Sequence, residues 1–176
     1  MLISADLNLP FPRSLVYRTY RDRLVELVPY IPNIRAVEIK SRRQENEQLF
    51  CTNIWHGGGK IPLAFRAVMG EAMLSWTEYD IWDESNFTLE WRIETHAFTE
   101  AVFCAGKNCF LGNNDTTLIE TRGEMKIDPG EIKGFPQPFR AKNCRITENF
   151  LGKTIVPNLI QMSKGVHHYL EQTATN

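Results

Sequence analysis

The chain has 176 residues, of which 43% are hydrophobic, which is the size and apolar content of one domain with a substantial core. Its 20 basic and 21 acidic residues leave a formal net charge of −1. This balance argues against a protein that binds phosphate backbones or acidic membranes. We therefore expect one domain, residues 1–176, with no nucleic-acid partner.

Signals for export, membrane insertion and metal binding are missing from the sequence. The N-terminus lacks a basic start and an apolar core of signal-peptide length, and charges interrupt every apolar run before the roughly 18 residues of a membrane span. The cysteines have neither CxxC spacing nor a nearby histidine cluster. We predict a cytoplasmic protein with reduced cysteines and with no integral membrane segment, metal or cofactor.

The N-terminal third predicts a strand, short helices and a hairpin. Apolar residues alternate with polar ones over residues 3–9, the period of a strand with one buried face. Residues 13–30 show helical spacing before Pro29 and Pro32 stop it, so two short helices are expected there. Two strands, residues 34–42 and 48–56, follow around a polar turn.

The middle of the chain predicts four consecutive strands. In two of them, residues 87–93 and 117–127, every second residue is apolar or small and the residues between are polar. Residues 72–83 carry three aromatics and join the first of these strands through a turn at residues 84–85. Residues 100–110 supply the fourth strand. A further short helix is predicted at residues 61–69.

A long helix is predicted at the C-terminus. Its apolar stripe has spacings of 4, 4, 3, 4 and 3 residues and consists of Leu151, Ile155, Leu159, Met162, Val166 and Tyr169. From residue 147 to residue 172 the helix would be about 39 Å long. Pro157 must either kink it or mark its true start, because proline removes one backbone hydrogen bond.

Several stretches of the chain resemble the START-like, or SRPBCC, superfamily, which includes polyketide cyclases, coenzyme Q-binding proteins and pollen-allergen-like carriers. The stretches are ISADLNL at 3–9, YRDRL at 20–24 leading into LVPYIPNI at 27–34, LSWTEYDIWDE at 74–84 and PNL at 157–159. The resemblance implies an α+β helix-grip fold, in which a curved antiparallel sheet of about seven strands wraps around the long C-terminal helix. It also implies two short helices after the first strand, and a cavity between sheet and helix.

Two inward-facing candidates for chemistry lie in the aromatic strand. Glu78 and Asp80 have aromatic neighbours on both faces of their strand, and whichever of them faces inward becomes the best catalytic or ligand-orienting residue. Arg66 is the third residue to test. The string from His56 to Gly59 matches an esterase oxyanion loop, but the chain has no GxSxG nucleophile motif. We interpret the glycines as a flexible turn.

The predicted ligand-binding residues are those whose side chains should face the same interior. Small and polar members of this interior, Thr117, Thr121 and Gly123, fill volume poorly and favour a pocket over a filled core. The full predicted set is Leu89, Trp91, Ile93, Thr117, Ile119, Thr121, Met125, Leu159, Met162 and Val166.

Three functions are compatible with the sequence. The leading hypothesis is a non-catalytic carrier or sensor of a hydrophobic small molecule, such as a lipid, quinone, sterol or polyketide, because most members of the resembling families bind such ligands. The second is an enzyme of the polyketide cyclase or dehydratase type that uses the same cavity. The third is a protein-interaction module with a filled core, for which no cavity is expected.

Overall fold

Seven antiparallel strands form a single curved sheet, in the order β1-β7-β6-β5-β4-β3-β2. The computed structural model describes residues 1–58, 72, 74–128, 131, 157 and 159–174. The strands are β1 (Leu2–Leu9), β2 (Ile34–Glu45), β3 (Gln48–Gly57), β4 (Ser75–Asp83), β5 (Thr88–Thr95), β6 (Val102–Gly112) and β7 (Thr117–Ile127). The predicted sheet of about seven strands is confirmed.

Helices lie on the concave face of this sheet. The two short helices after the first strand are α1 (Arg13–Asp22) and α2 (Leu24–Leu27), and a 3-10 turn (Val28–Tyr30) follows them. The C-terminal helix α3 covers residues 159–174, and Pro157 is also helical. The expected start at residue 147 and the expected short helix at 61–69 lie outside the described residues. Within the described part of the chain, no helix is long and apolar enough to cross a membrane.

The predicted polar turn between the first hairpin strands is shorter in the structure. β2 continues to Glu45, which pairs with Gln48, so the turn contains only two residues. The first of them, Asn46, has a φ of 52°. Asparagine tolerates this left-handed conformation better than most residues, which lets the hairpin close tightly.

Phe87 was expected to begin a strand, and this boundary is wrong. The residue lies in the turn before β5 with a φ of 52°. Its ring lies edge-on to Tyr17 at 5.3 Å between centroids, and the Arg13 guanidinium lies 4.0 Å from the ring centroid. The packing of the Phe87 ring against α1 therefore stabilises this positive-φ conformation, because the free energy gained by aromatic packing exceeds the cost of the local backbone strain.

The aromatic core joins α1 to the middle of the sheet. The Tyr17 ring makes edge-to-face contacts with Trp82 and Phe110, at 5.3 and 5.1 Å between centroids. All three side chains are buried. This cluster fixes α1 across the sheet and so positions one wall of the cavity described next.

Candidate ligand-binding cavity

A cavity lies between the concave face of the sheet and the helices. The non-atom space here is about 470 Å³ when the part open to solvent is counted, of which about 30 Å³ can hold the centre of a water molecule. Its lining is mainly aromatic and aliphatic: Tyr20, Leu24, Ile31, Ile34, Trp55, Trp76, Glu78, Asp80, Trp82, Leu89, Ile93, Leu159 and Met162. A concave apolar space with few polar groups is the usual form of a small-molecule site.

β4 supplies four of these lining residues because side chains alternate along a strand. Trp76, Glu78, Asp80 and Trp82 all point inward. The outward residue Tyr79 instead has the Arg92 guanidinium 4.5 Å from its ring centroid. The aromatics that the sequence left on both faces of this strand are thus separated into two tryptophans inside and one tyrosine outside.

Glu78 and Asp80 form a carboxyl pair at the cavity wall. Asp80 is 3% exposed, while Glu78 is half-buried because part of its side chain borders the cavity. Burial raises the pKa of Glu78 to about 7. Burial and the neighbouring Glu78 charge raise the pKa of Asp80 well above its ordinary value. The pair therefore gives up its protons in two separate steps, because the charge of the first ionised carboxyl disfavours ionisation of the second.

Few donors reach this pair. The amide Nδ2 of Asn53 donates to Asp80 Oδ2 at 2.9 Å. Asp80 Oδ1, Asn53 Oδ1 and the Trp55 indole nitrogen are buried without a hydrogen-bond partner in the structure. The Trp55 N–H nevertheless favours ionised Glu78 and partly offsets the effect of burial on its pKa.

A series of side-chain hydrogen bonds lies behind the wall of the cavity. The Trp91 indole N–H donates to Asn108 Oδ1 at 3.1 Å, and Asn108 Nδ2 donates to the Tyr20 hydroxyl at 3.4 Å. Gly106 and Gly123 are paired across β6 and β7, and the six-membered part of the Trp91 ring lies against both. These glycines are needed because a Cβ at Gly106 would approach Trp91 Cζ2 to 2.4 Å.

The structure distributes the predicted ligand-binding residues over three places. Leu89, Ile93, Leu159 and Met162 line the main cavity. A second space of about 300 Å³, between β1, β7 and α3, is bordered by Ile119 and Thr121. The remaining predicted residues are buried in packed parts of the core: Trp91, Thr117, Met125 and Val166.

The small inward residues on β7 do not open the main cavity. Thr117 donates its hydroxyl to the Phe11 carbonyl at 2.7 Å and so anchors the segment before α1. The space above Gly123 is occupied by Trp91. Glu78 and Asp80 are the candidates that the structure does bring into the cavity, and Arg66 lies outside the described residues.

Sequence reasoning missed the contribution of β3. Trp55 and Trp76 stack at 6.3 Å between centroids with an interplanar angle of 13°, and Asn53 lies in register beside Glu78. The alternation of Cys51, Asn53 and Trp55 places all three on the buried face. A buried asparagine within such a strand was the available signal.

Gly57, the first glycine after His56, belongs to the sheet. Gly57 is the last residue of β3, and a Cβ there would lie 2.8 Å from the Leu74 carbonyl oxygen. The Gly58 N–H donates to the Asn33 carbonyl at 2.7 Å. The interpretation as a flexible turn is therefore wrong for Gly57, which is paired within the sheet; Gly58 follows the strand with one backbone hydrogen bond, and Gly59 lies outside the described residues.

Comparison with solved structures gives several neighbours of similar architecture. An aromatase/cyclase (Zhui) from Streptomyces sp. R1128 superposes with a TM-score of 0.70 at 13% identity, over 99% of this chain and 95% of that one. Norcoclaurine synthase from Thalictrum flavum gives 0.62 at 11% identity, over 97% and 86%. A START superfamily protein from Mycobacterium smegmatis gives 0.55 at 13% identity, over 98% of each chain.

The sequence alone finds no such neighbours. No protein-family model matches this chain, and no curated protein matches it significantly. At identities of 11–13%, the structural likeness concerns the fold, while the site must be judged on its own residues. On the sheet order, the helix positions and these superpositions together, the chain has a START/SRPBCC-like helix-grip fold.

Proposed function

We propose that this protein binds a hydrophobic small molecule in the cavity between the sheet and α3. The observation that carries the proposal is the concave space between sheet and helices, which is lined mainly by aromatic and aliphatic side chains. Burial of apolar ligand surface supplies about 25 cal/mol per Å², and the carboxyl pair supplies orientation.

The intrinsic tryptophan fluorescence of the protein can report ligand binding in the cavity. Its four tryptophans are Trp55, Trp76 and Trp82, which line the cavity, and Trp91, which is buried behind it. We expect aromatic and polycyclic ligands from a lipid, quinone, sterol and polyketide-like panel to quench or shift the intrinsic fluorescence saturably. A panel without any saturable response, together with native mass spectra free of bound ligand, would refute the proposal.

Filling the cavity from α3 is expected to weaken binding. Leu159 lines the cavity and is half-buried, so Leu159→Phe adds ring volume where the ligand would lie. We expect affinity for any panel ligand to fall roughly tenfold, about 1.4 kcal/mol. Titration calorimetry measures the change, and circular dichroism checks the fold. Leu111→Phe is the matched control, because Leu111 is 44% exposed and does not line the cavity.

Acid–base catalysis in the same cavity is the second candidate. It is favoured because the two neighbouring carboxyls ionise at different pH, so that near neutrality one can accept a proton while the other still holds one. In an aldol cyclisation, Glu78 would take the proton from a carbon next to a carbonyl. The enolate carbon then attacks a second carbonyl carbon of the substrate, the π electrons of that C=O bond move to its oxygen, and Asp80 would protonate the resulting alkoxide.

The catalytic candidate has a distinct test. A short aromatic poly-β-ketone analogue is incubated with the protein and cyclisation is followed by ultraviolet absorbance. Glu78→Gln is expected to lower kcat by about 10² to 10⁴ fold, the usual contribution of a general base. In the wild type kcat/KM should rise as the pH passes through about 7, where Glu78 ionises. Equal turnover by wild type and Glu78→Gln would exclude this role.

A further inference from the structure

Among the described residues, the polar groups in and behind the cavity wall include more oxygens than N–H donors, and the unpaired indole N–H of Trp55 is one of those donors. Asp80 Oδ1 and Asn53 Oδ1 lack partners, and their residues are 3% and 0% exposed. Glu78 adds two further oxygens beside them on the same face. Buried polar atoms are nearly always paired in folded proteins. One carboxyl of the pair still holds its proton near pH 7, so the acceptors are the oxygens of its ionised neighbour, and these point to a missing group that donates hydrogen bonds.

An ammonium group has the chemistry that this wall lacks. It offers three N–H donors and no acceptor, and its positive charge compensates an ionised carboxyl in a poorly solvated place. Tyr20, Trp55 and Trp76 line the same cavity, and aromatic faces attract cations by about 0.5 to 2 kcal/mol. Among the described residues, no lysine or arginine lines the cavity to supply this charge from the protein itself.

We propose that the ligand is a hydrophobic primary amine, whose ammonium group binds Glu78 and Asp80 while its apolar body lies among the aromatic residues of the cavity. This inference rests on the proposed binding function and names the chemical class of the ligand. A neutral ligand whose polar group only accepts hydrogen bonds, such as a carbonyl, would instead require protonated carboxyls as donors. The two classes therefore predict opposite dependences on pH.

Among the residues that the structure describes, the other ionisable groups that face the carboxyl pair stay neutral near pH 7. They are Tyr20 on α1, Cys51 on β3 and Cys104 on β6. Burial raises the pKa of each, to about 11 for Cys51 and about 12 for Cys104. The described part of α3 contributes Leu159 and Met162 to the lining, neither of which ionises. A change in affinity between pH 6 and 8 therefore reports the pair.

The test compares two probes of the same shape, 4-phenylbutylamine and 4-phenylbutanol, by isothermal titration calorimetry at pH 6 and pH 8. The amine keeps its charge at both pH values because alkylammonium groups ionise near pH 10 or above. We expect the affinity for the amine to rise about tenfold from pH 6 to 8, because the ionised fraction of a carboxyl with a pKa near 7 rises by about that factor. The alcohol should bind at least tenfold more weakly than the amine at pH 8.

Two variants identify the group responsible. Glu78→Gln keeps the side-chain shape but removes the charge, and it should lower amine affinity at pH 8 at least tenfold, which is a larger loss than that for the alcohol. Glu94→Gln is the matched control, since Glu94 lies on the neighbouring strand β5 with its side chain 40% exposed and does not line the cavity. It should change neither affinity.

Each remaining outcome is decisive. If the alcohol binds as tightly as the amine, or if Glu78→Gln leaves amine affinity unchanged, the amine assignment is overturned while the binding cavity stands. If amine affinity falls from pH 6 to 8, protonated carboxyls are the recognising groups and the amine assignment is again overturned. If neither probe binds and the fluorescence panel also gives no response, the binding function itself is overturned, and the amine assignment with it.

Discussion

Glu78→Gln is expected to make the protein more stable than the wild type at pH 8 and to leave its stability near pH 4 almost unchanged. The ordinary pKa of this carboxyl is 4.5, and burial raises it to about 7 in the folded protein. Between these values the folded state holds a proton that the unfolded chain has released, so wild-type stability falls as the pH rises. The contribution of the protonated Glu78 carboxyl to the free energy of unfolding is fully present below about pH 4.5 and is lost as the pH rises through about 7.

The size of this effect follows from the shift in pKa. At 1.36 kcal/mol per pKa unit, the wild type loses up to about 3 kcal/mol by pH 8, and glutamine avoids this loss because it never ionises. Urea denaturation at pH 4, 6 and 8 measures it. Glu94→Gln should show no such pH-dependent gain, because its side chain is solvated. A constant difference between Glu78→Gln and the wild type across this range would contradict the raised pKa.

Gly106→Ala is expected to destabilise the protein by about 3 kcal/mol, the upper part of the usual range for overpacking a core. An added Cβ would come within 2.4 Å of both the Arg122 carbonyl oxygen and Trp91 Cζ2. Neither neighbour moves easily, since one is backbone in β7 and the other is held by its hydrogen bond to Asn108. The strands or the indole must therefore shift.

Chemical denaturation of Gly106→Ala at pH 6 measures this loss. Gly58→Ala is the matched control, because its nearest contact would be the flexible Arg35 side chain at 3.4 Å. The control should stay within about 1 kcal/mol of the wild type. Equal stability of the two variants would show that Trp91 does not need the glycine at position 106. Loss of the Trp91 near-ultraviolet dichroism signal in Gly106→Ala alone would show that the indole is displaced.

Local patterns determined most of the fold. Alternation of apolar and polar residues is a property of neighbouring positions, and it predicted the strand at residues 117–127 with the bounds that β7 has. The proline-limited helical spacing after β1 predicted α1 and α2 for the same reason. Where a contact came from far along the chain, as for Phe87 against Tyr17, the local pattern gave the wrong boundary.

The candidate site depended on pairing between strands. Glu78 and Asp80 were singled out because their strand is aromatic throughout, but their own strand does not show which face points inward. Pairing with β3 settles this by placing Asn53 beside Glu78 and Cys51 beside Asp80. Contacts between strands also explain why Gly123 does not open a pocket, although its lack of a side chain suggested one. The space above this glycine is occupied by Trp91, which lies two strands away in the sheet order.

The sequence by itself determined seven strands and a C-terminal helix, because the 2- and 3.6-residue periods are set by backbone geometry alone. Their arrangement as one sheet around that helix was implied by the family resemblance. Only the tertiary structure decided which side chains meet. It brings Trp55, Trp76 and the Glu78–Asp80 pair together around one cavity and fills the space over β7 with an indole. The pKa of Glu78 follows from that enclosure, since burial depends on neighbours that are distant in the chain.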